Sequence, residues 1–448
     1  MSSHPNFLLT MCDDQRHSAM SCVDTPTADA VSTPCLDALA SRGVRFRAAY
    51  HAAGLSGAIC SPSRAMLHTG CGPFDIPRGM VEHGLGASFD GSPDVKPLGR
   101  LLRDHGYVTH FAGKWHNDLP SLEQSFDRAD PLFHGGMDDH FQLPVQTYDG
   151  ATYSPIRRTM GVHATDRFAD AGCRFLRAYA DGRYGERPFC LVVAFTAPHD
   201  PRRTHEQWHR RYPADGVEPP PNFLPRHPFE QLRANGRDEL LTPLPRDADQ
   251  TRREIADYYA MIEHVDHAIG QLHDVLDQLG LADSTLVAHT ADHGLAVGQH
   301  GLMGKQNLYD HSTRVPLLLA GHGVPTAQVR EALVYQHDLY PTLLEAAGIE
   351  PPDRCAFHSL WPLVQDADAS SRESVGGWFL KSQRMIRVDD RKLIAYATPR
   401  ETVYQQYDLA DDPWEIEGTV RHASETDPSL RQALKDWQRT MGDPLPLS

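Results

Sequence analysis

The segment DQTRREIADYYAMIEHVDHAIGQLHDVLDQLG, residues 249–280, followed by LADSTLVAHTADHG, residues 281–294, decides the fold. Apolar side chains recur every three to four residues through Ile255, Ile262, Val265, Ile269, Leu272 and Leu279, so the first part is one long amphipathic helix from about Asp249 to Leu279. Gly280 ends it, and Ser284 to Thr290 is a short apolar strand bounded by polar residues. A helix that feeds a buried strand is one step of an α/β sheet, and the residues just past that strand are Asp292 and His293.

Working outward, the same step repeats. Phe7 to Met11 is a short strand, and Ser32-Thr33-Pro34 caps a helix carrying Leu36 and Leu39 before Gly43. Val44 to Tyr50 is extended. Leu98 to His105 is helical and leads to the strand Tyr107 to Ala112; Val162 to Ala180 is an amphipathic helix that leads to the strand Phe189 to Phe195. Val315 to Ala320 is a further strand. The fold class expected is α/β, a large mixed, mostly parallel sheet sandwiched by helices. Residues 214–247, with Pro219-Pro220-Pro221 and Pro243-Leu244-Pro245, read as a long surface excursion. After a helix over Leu339 to Ala347, Pro351-Pro352 marks a boundary. Four alternating runs, Gly376 to Leu380, Arg384 to Val388, Lys392 to Ala397 and Tyr404 to Leu409, then predict a small antiparallel sheet closed by a helix near Ser429 to Met441. We therefore expect a catalytic domain over residues 1–352 and an α+β subdomain over 353–448.

The composition fits this class. The 448 residues are 40% hydrophobic and 23% charged, and Lys+Arg 43 against Asp+Glu 59 leaves a net charge of −16. Such a surface offers no general attraction to nucleic acid or anionic lipid, and an anionic substrate needs a local positive trap. No apolar run reaches the roughly 18 residues of a membrane helix, and the first ten residues lack a basic segment followed by an apolar one. With eight sparse cysteines, the expectation is a cytoplasmic protein without nucleic-acid or membrane partners.

In open parallel sheets ligands bind beyond the carboxyl ends of the strands, and four strands here carry reactive residues at that position. Asp13 and Asp14 follow the first; Lys114, His116 and Asn117 follow Tyr107 to Ala112; His199 and Asp200 follow Phe189 to Phe195; Asp292 and His293 follow Ser284 to Thr290. Any one of these has an ordinary reading as a solvated turn or helix cap. Together, Asp13, Asp14 and Asp292 offer hard oxygen ligands for Ca²⁺ or Mg²⁺, and His293 shifts the set toward Mn²⁺ or Zn²⁺. Lys114, Lys305 and Arg64 supply positive charge. In Ile59-Cys60-Ser61-Pro62-Ser63-Arg64, Ser61-Pro62 reads as a helix start. Cys60 then lies at a positive helix end, as a reactive thiolate or as an inert buried cysteine.

The run Cys60-x-Pro62-Ser63-Arg64 with Thr69-Gly70 resembles the signature of the formylglycine-dependent sulfatases of the alkaline phosphatase superfamily. The likeness continues in order: Asp13-Asp14, Gly113-Lys114-x-His116, Pro198-His199-x-Pro201, Asp292-His293-Gly294, Gly298-Gln299-His300-Gly301, Gly304-Lys305, Tyr309, and Arg314-Val315-Pro316. It ends at Tyr407-Asp408-Leu409 and Asp412-Pro413-Trp414-Glu415. The resemblance implies an alkaline phosphatase-like sheet and the oxidation of Cys60 to formylglycine by a formylglycine-generating enzyme. It implies one divalent metal, Ca²⁺ before Mg²⁺ or Mn²⁺, held by Asp13, Asp14, residue 60, Asp292 and His293. It also implies attack on a small anionic sulfate ester by one hydroxyl of the formylglycine hydrate, the other hydroxyl expelling sulfate as the hemiacetal collapses. Lys114 and Lys305 would neutralise sulfate oxygens and Arg64 would hold the formylglycine. His116 would take the hemiacetal proton, and His199 would serve the departing oxygen.

His293, where many members have Asn, resembles the branch of iduronate-2-sulfatase-like and choline-sulfatase-like enzymes and phosphonate monoester hydrolases. Lys114-Trp115-His116-Asn117, His134 to His140 and Ser56-Gly57-Ala58 most resemble bacterial glycan sulfatases related to the uronate 2-O-sulfatases. A sulfated saccharide, such as a uronate 2-O-sulfate, is the expected substrate. Asn117, His140, Arg203 and His205 are the candidate sugar contacts, with His51, Arg78, His83 and His163 as further candidates. Phosphonate monoester or phosphodiester hydrolysis and choline sulfate hydrolysis are the alternatives at the same site. A glycan-binding pseudoenzyme is disfavoured, because no catalytic position has been lost.

Overall fold

The strand β1 (Asn6–Asp13) is buried along its whole length, and the molecule is built around it. The computed structural model describes residues 4–52, 54, 59–76, 95–158, 160–229 and 236–445. Beside β1 the main sheet contains β2 (Gly43–Tyr50), β3 (Val108–Lys114), β4 (Arg128–Phe133), β5 (Pro144–Tyr148) and β6 (Arg157–Arg158). It is completed by β7 (Phe189–Pro198), β8 (Thr285–Ala291), β9 (Leu317–Gly321) and β10 (Gln328–Tyr335). The order is β10-β2-β9-β8-β1-β7-β3-β4-β5-β6. Its centre, β8-β1-β7-β3-β4, is parallel, while β9 runs antiparallel to both β8 and β2. Near-continuous apolar runs such as FCLVVAF in β7 and TLVA in β8 suit strands covered on both faces.

The helices Ala164–Ala180 and Ala248–Gln278 lie against each other and against β7. A second, antiparallel sheet follows in the order β11 (Ser374–Phe379), β12 (Gln383–Val388), β13 (Arg391–Ala397) and β14 (Thr402–Asp408), with the helix Pro428–Thr440 packed on it. Its apolar face shares one core with Ala48, Tyr50, Ile59 and Met66, so it buttresses the end of β2 and the helix Cys60–Thr69. Among the described residues, no helix is long and apolar enough to cross a membrane.

The segment 214–247 departs from the expectation of a surface excursion. Its described part is irregular, but Asp238, Glu239 and Arg246 are buried, and Arg246 donates to the Gly301 carbonyl and to Glu239. The Glu239–Arg246 ion pair, and Arg237 and Gln306 on Asp238, let these polar side chains be buried within an otherwise largely exposed stretch.

Candidate active site

Because the four strands β8, β1, β7 and β3 are adjacent and parallel, their carboxyl ends open side by side, and the residues that follow them meet there. An extended chain would send Asp13 and Asp14 to opposite faces. Here the register of β1 shifts between Met11 and Asp13, and Asp14 takes a left-handed backbone, φ 74, so the consecutive carboxylates share one cavity. The Asp14 amide donates to Asp292 Oδ1 at 3.3 Å. His116 is likewise left-handed, φ 55, and Gly136 lies against its ring, where a Cβ would come within 2.9 Å of Nε2.

Cys60 is the first residue of the helix Cys60–Thr69, whose ten side chains are all buried. His293 Nε2 is 3.1 Å and Lys305 Nζ 3.5 Å from its Sγ, and His116 also hydrogen-bonds it. Burial opposes ionisation of this thiol. Lys114, Lys305 and His293 outweigh it and pull the thiol well below its ordinary value of 9.0. Lys114 pairs with Asp13, and Lys305 Nζ lies 2.8 Å from Asp14 Oδ1. Arg64 donates from Nε to Asp292 Oδ2 at 2.9 Å and from Nη1 to the Lys114 carbonyl at 2.5 Å, with Nη2 3.9 Å from Asp13.

The three carboxylates crowd one another. Burial and then Asp13 push the Asp292 carboxyl up to about 6, while Lys114, His199 and Arg64 hold Asp13 low against burial and the thiolate. Despite the surrounding cations, the buried oxygens Asp13 Oδ1 and Asp14 Oδ2 accept no hydrogen bond. Ligand atoms of Asp13, Cys60, Asp292 and His293 lie within 4.8 Å of one another. Two orphaned carboxylate oxygens beside an imidazole fit a divalent cation.

His199 lies across from these groups, Nε2 3.9 Å from Asp14 Oδ2 and Nδ1 3.2 Å from Asp200 Oδ1. Against burial, Asp14 raises it well above 6.5. Asp200 is gripped by both terminal nitrogens of Arg237 at 2.7 Å. Sequence reasoning passed over Arg237, which sits 37 residues from Asp200 with no pattern to link them. It also passed over Gln336 and gave no role to Ser63 of the signature run; the two side chains donate to the Asp292 carbonyl at 2.9 and 2.6 Å.

The expected sugar contacts divide. Asn117 is buried and donates to the Ser61 carbonyl at 2.9 Å, and His140 is buried between Thr196 Oγ1 and the His199 carbonyl, at 3.0 and 2.9 Å. Asn117 thus holds the start of the helix Cys60–Thr69, and His140 holds the backbone of His199. His51 is buried, Nε2 3.1 Å from the Ser312 carbonyl. Arg203 is largely exposed and pairs with Asp139, whereas His205 is half-buried against Asp166. Arg78, His83 and Ser56-Gly57-Ala58 lie outside the described residues.

A sulfatase family model matches residues 5–349, and a model described as N-sulphoglucosamine sulphohydrolase, C-terminal, matches residues 298–440. The chain is 25% identical over 522 residues to N-acetylglucosamine-6-O-sulfatase of Bacteroides thetaiotaomicron, covering 99% of this chain and 88% of the relative. It is 26% identical over 457 residues to iduronate 2-sulfatase of Mus musculus, covering 91% and 80%. Among solved structures, one in complex with its substrate D-glucosamine-2-N,6-O-disulfate superposes with a TM-score of 0.79 at 23% identity, over 99% of both chains.

Proposed function

Because the chain belongs to the sulfatase family, we propose that this sulfatase removes O-sulfate from a sulfated sugar, with residue 60 as the reacting group. One observation carries the reading: Lys114, Lys305 and His293 converge on the side chain of residue 60, beside two carboxylates that keep unpartnered oxygens. The relatives support the sugar, since they are named for N-acetylglucosamine 6-O-sulfate and iduronate 2-sulfate. A reducing compartment such as the cytoplasm suits eight cysteines that are all free.

In this reading a formylglycine-generating enzyme matures Cys60, because a thiol attacking sulfur would leave a linkage with no easy release. The formylglycine hydrate supplies an oxygen nucleophile in its place. Asp13, Asp14, Asp292 and His293, with residue 60, hold one divalent cation, and three carboxylates favour Ca²⁺ over Mg²⁺ or Mn²⁺. When bound, that cation acts as a Lewis acid on a sulfate oxygen.

The protein's own groups do the rest. Lys114 and Lys305, both buried, neutralise the remaining sulfate oxygens, and removing one such partner costs roughly 3 to 4 kcal/mol of transition-state stabilisation. Arg64, wholly buried, fixes Asp292 relative to the backbone of Lys114. His199, held protonated beside Asp14, donates from Nε2 to the departing sugar oxygen, and Asp200 fixes its Nδ1. His116 accepts the proton of the residue-60 hydroxyl.

Sulfate release from a panel of 6-O- and N-sulfated glucosamines, uronate 2-O-sulfated disaccharides, choline sulfate and an aryl phosphonate tests the assignment. The expected result is the highest kcat/KM on a sulfated sugar. Faster turnover of choline sulfate or the phosphonate than of every sugar would contradict it.

A further inference from the structure

Apart from the active site, metal-binding side chains gather where the helices Ala164–Ala180 and Ala248–Gln278 meet the loop that follows His199. His163 is the N-cap of the first helix, and Asp166 lies three residues on, at its first turn. His264 faces them from the long helix, and donor atoms of His163, Asp166 and His264 lie within 4.8 Å of one another. Asp166 uses both oxygens: Oδ1 is 2.8 Å from His264 Nε2, and Oδ2 is 2.8 Å from His205 Nε2. The ring centroids of His163 and His264 are 4.7 Å apart, and those of His205 and His264 are 5.3 Å apart.

The outer contacts are those that orient ligating imidazoles. His264 Nδ1 is 2.7 Å from Thr204 Oγ1, which turns Nε2 toward Asp166; His163 Nε2 donates to the Arg203 carbonyl at 3.0 Å, and its Nδ1 accepts from the Thr165 amide at 3.2 Å, the bond that a metal would replace. His163 and His264 are buried, while Asp166 and His205 are about one-third exposed, so the group has a dry inner wall and an open mouth.

We propose that His163, Asp166, His205 and His264 form a second metal site that takes a borderline transition ion of the Zn²⁺ type. Three imidazoles and one carboxylate match zinc, whereas the three carboxylates of the active site match a harder cation. A modest closure brings the donor atoms of His163, Asp166 and His264, now within 4.8 Å, to zinc-ligand distance, and His205, already bonded to Asp166, completes the set. The ion replaces the hydrogen bonds from His264 Nε2 and His205 Nε2 to Asp166, and each of these imidazoles stays neutral by carrying its one proton on Nδ1, which in His264 faces Thr204 Oγ1. The site has a path to the chemistry: the His163 ring stacks on His140 at 5.2 Å, and His140 Nε2 donates to the His199 carbonyl. Zinc would thus tie the chain from His199 to His205 to two helices.

Zinc is titrated into calcium-saturated, full-length enzyme, followed by thermal unfolding, and crystals are measured at the zinc absorption edge. The expected result is one zinc equivalent per chain, a raised Tm, and an anomalous peak between Asp166 and His264. Asp166→Asn and His205→Ala, both at half-exposed positions that should not prevent folding, should weaken zinc binding at least tenfold. An anomalous peak confined to Asp13 and Asp292, no zinc uptake, or unchanged affinity in Asp166→Asn overturns the proposal.

Discussion

Gly113→Ala tests whether the strand ends that carry Lys114 and His199 must keep their spacing. Gly113 pairs with Ala194 across β3 and β7, with φ 124. A Cβ there would lie 1.9 Å from the Ala194 carbonyl oxygen and 2.7 Å from its carbon, where contacts under 3.0 Å essentially never occur. The strands must therefore part by about 1 Å, on top of about 1–3 kcal/mol of backbone strain. A displacement of that size between catalytic groups costs about 100-fold in rate, or about 2.7 kcal/mol. Gly106→Ala is the matched control, since Gly106 has φ 87 and nothing within 4 Å of its Cβ position. Both variants should lose Tm, but only Gly113→Ala should lose about two orders of magnitude in kcat/KM on an aryl sulfate. A folded Gly113→Ala enzyme with the activity of the control would refute the reasoning.

Arg237→Ala should free Asp200 and loosen His199; because Arg237 is nearly half exposed, about 1 kcal/mol is at stake, read as roughly a fivefold fall in kcat with KM little changed. Chelation should abolish sulfate release and added Ca²⁺ should restore it, checked by elemental analysis of the reactivated enzyme. Arg384 donates to both oxygens of Asp443, at 2.6 and 3.0 Å, and against burial it holds that carboxyl below its ordinary 3.8. A carboxylate with a depressed folded pKa contributes stability that is present above its unfolded pKa and is lost as pH falls through the folded value. Tm measured from about pH 7 down to about pH 3 should fall steeply for wild type below about pH 4, while Asp443→Asn starts lower and shows a shallower acid limb.

The alternation of strands and helices was legible because central strands such as Phe189–Phe195 are unbroken apolar runs and the helices carry apolar stripes. The meeting of Asp13, Lys114, His199 and Asp292 followed from one rule about strand ends. Strands β4, β5 and β10 escaped notice: RADPLF contains a proline and two charges, and QVREALVY alternates too weakly to stand out. The antiparallel direction of β9 left no trace in its composition. The burial of Asn117 and His140 was not legible either, since a buried polar side chain and an exposed one read alike in sequence. The same ambiguity hid the burial of Asp238, Glu239 and Arg246, whose partners include the distant Gln306, Gly301 and Gly304.

The claim at the centre of this account is that sulfate release runs through a modified residue 60. Preparations produced with graded amounts of a formylglycine-generating enzyme can be compared by mass spectrometry of the peptide containing Cys60 and by sulfate release from the best sugar in the panel. Activity is predicted to rise in proportion to the modified fraction, from zero, and to be absent in Cys60→Ala. Full activity from protein that carries only the unmodified thiol at residue 60 would contradict it.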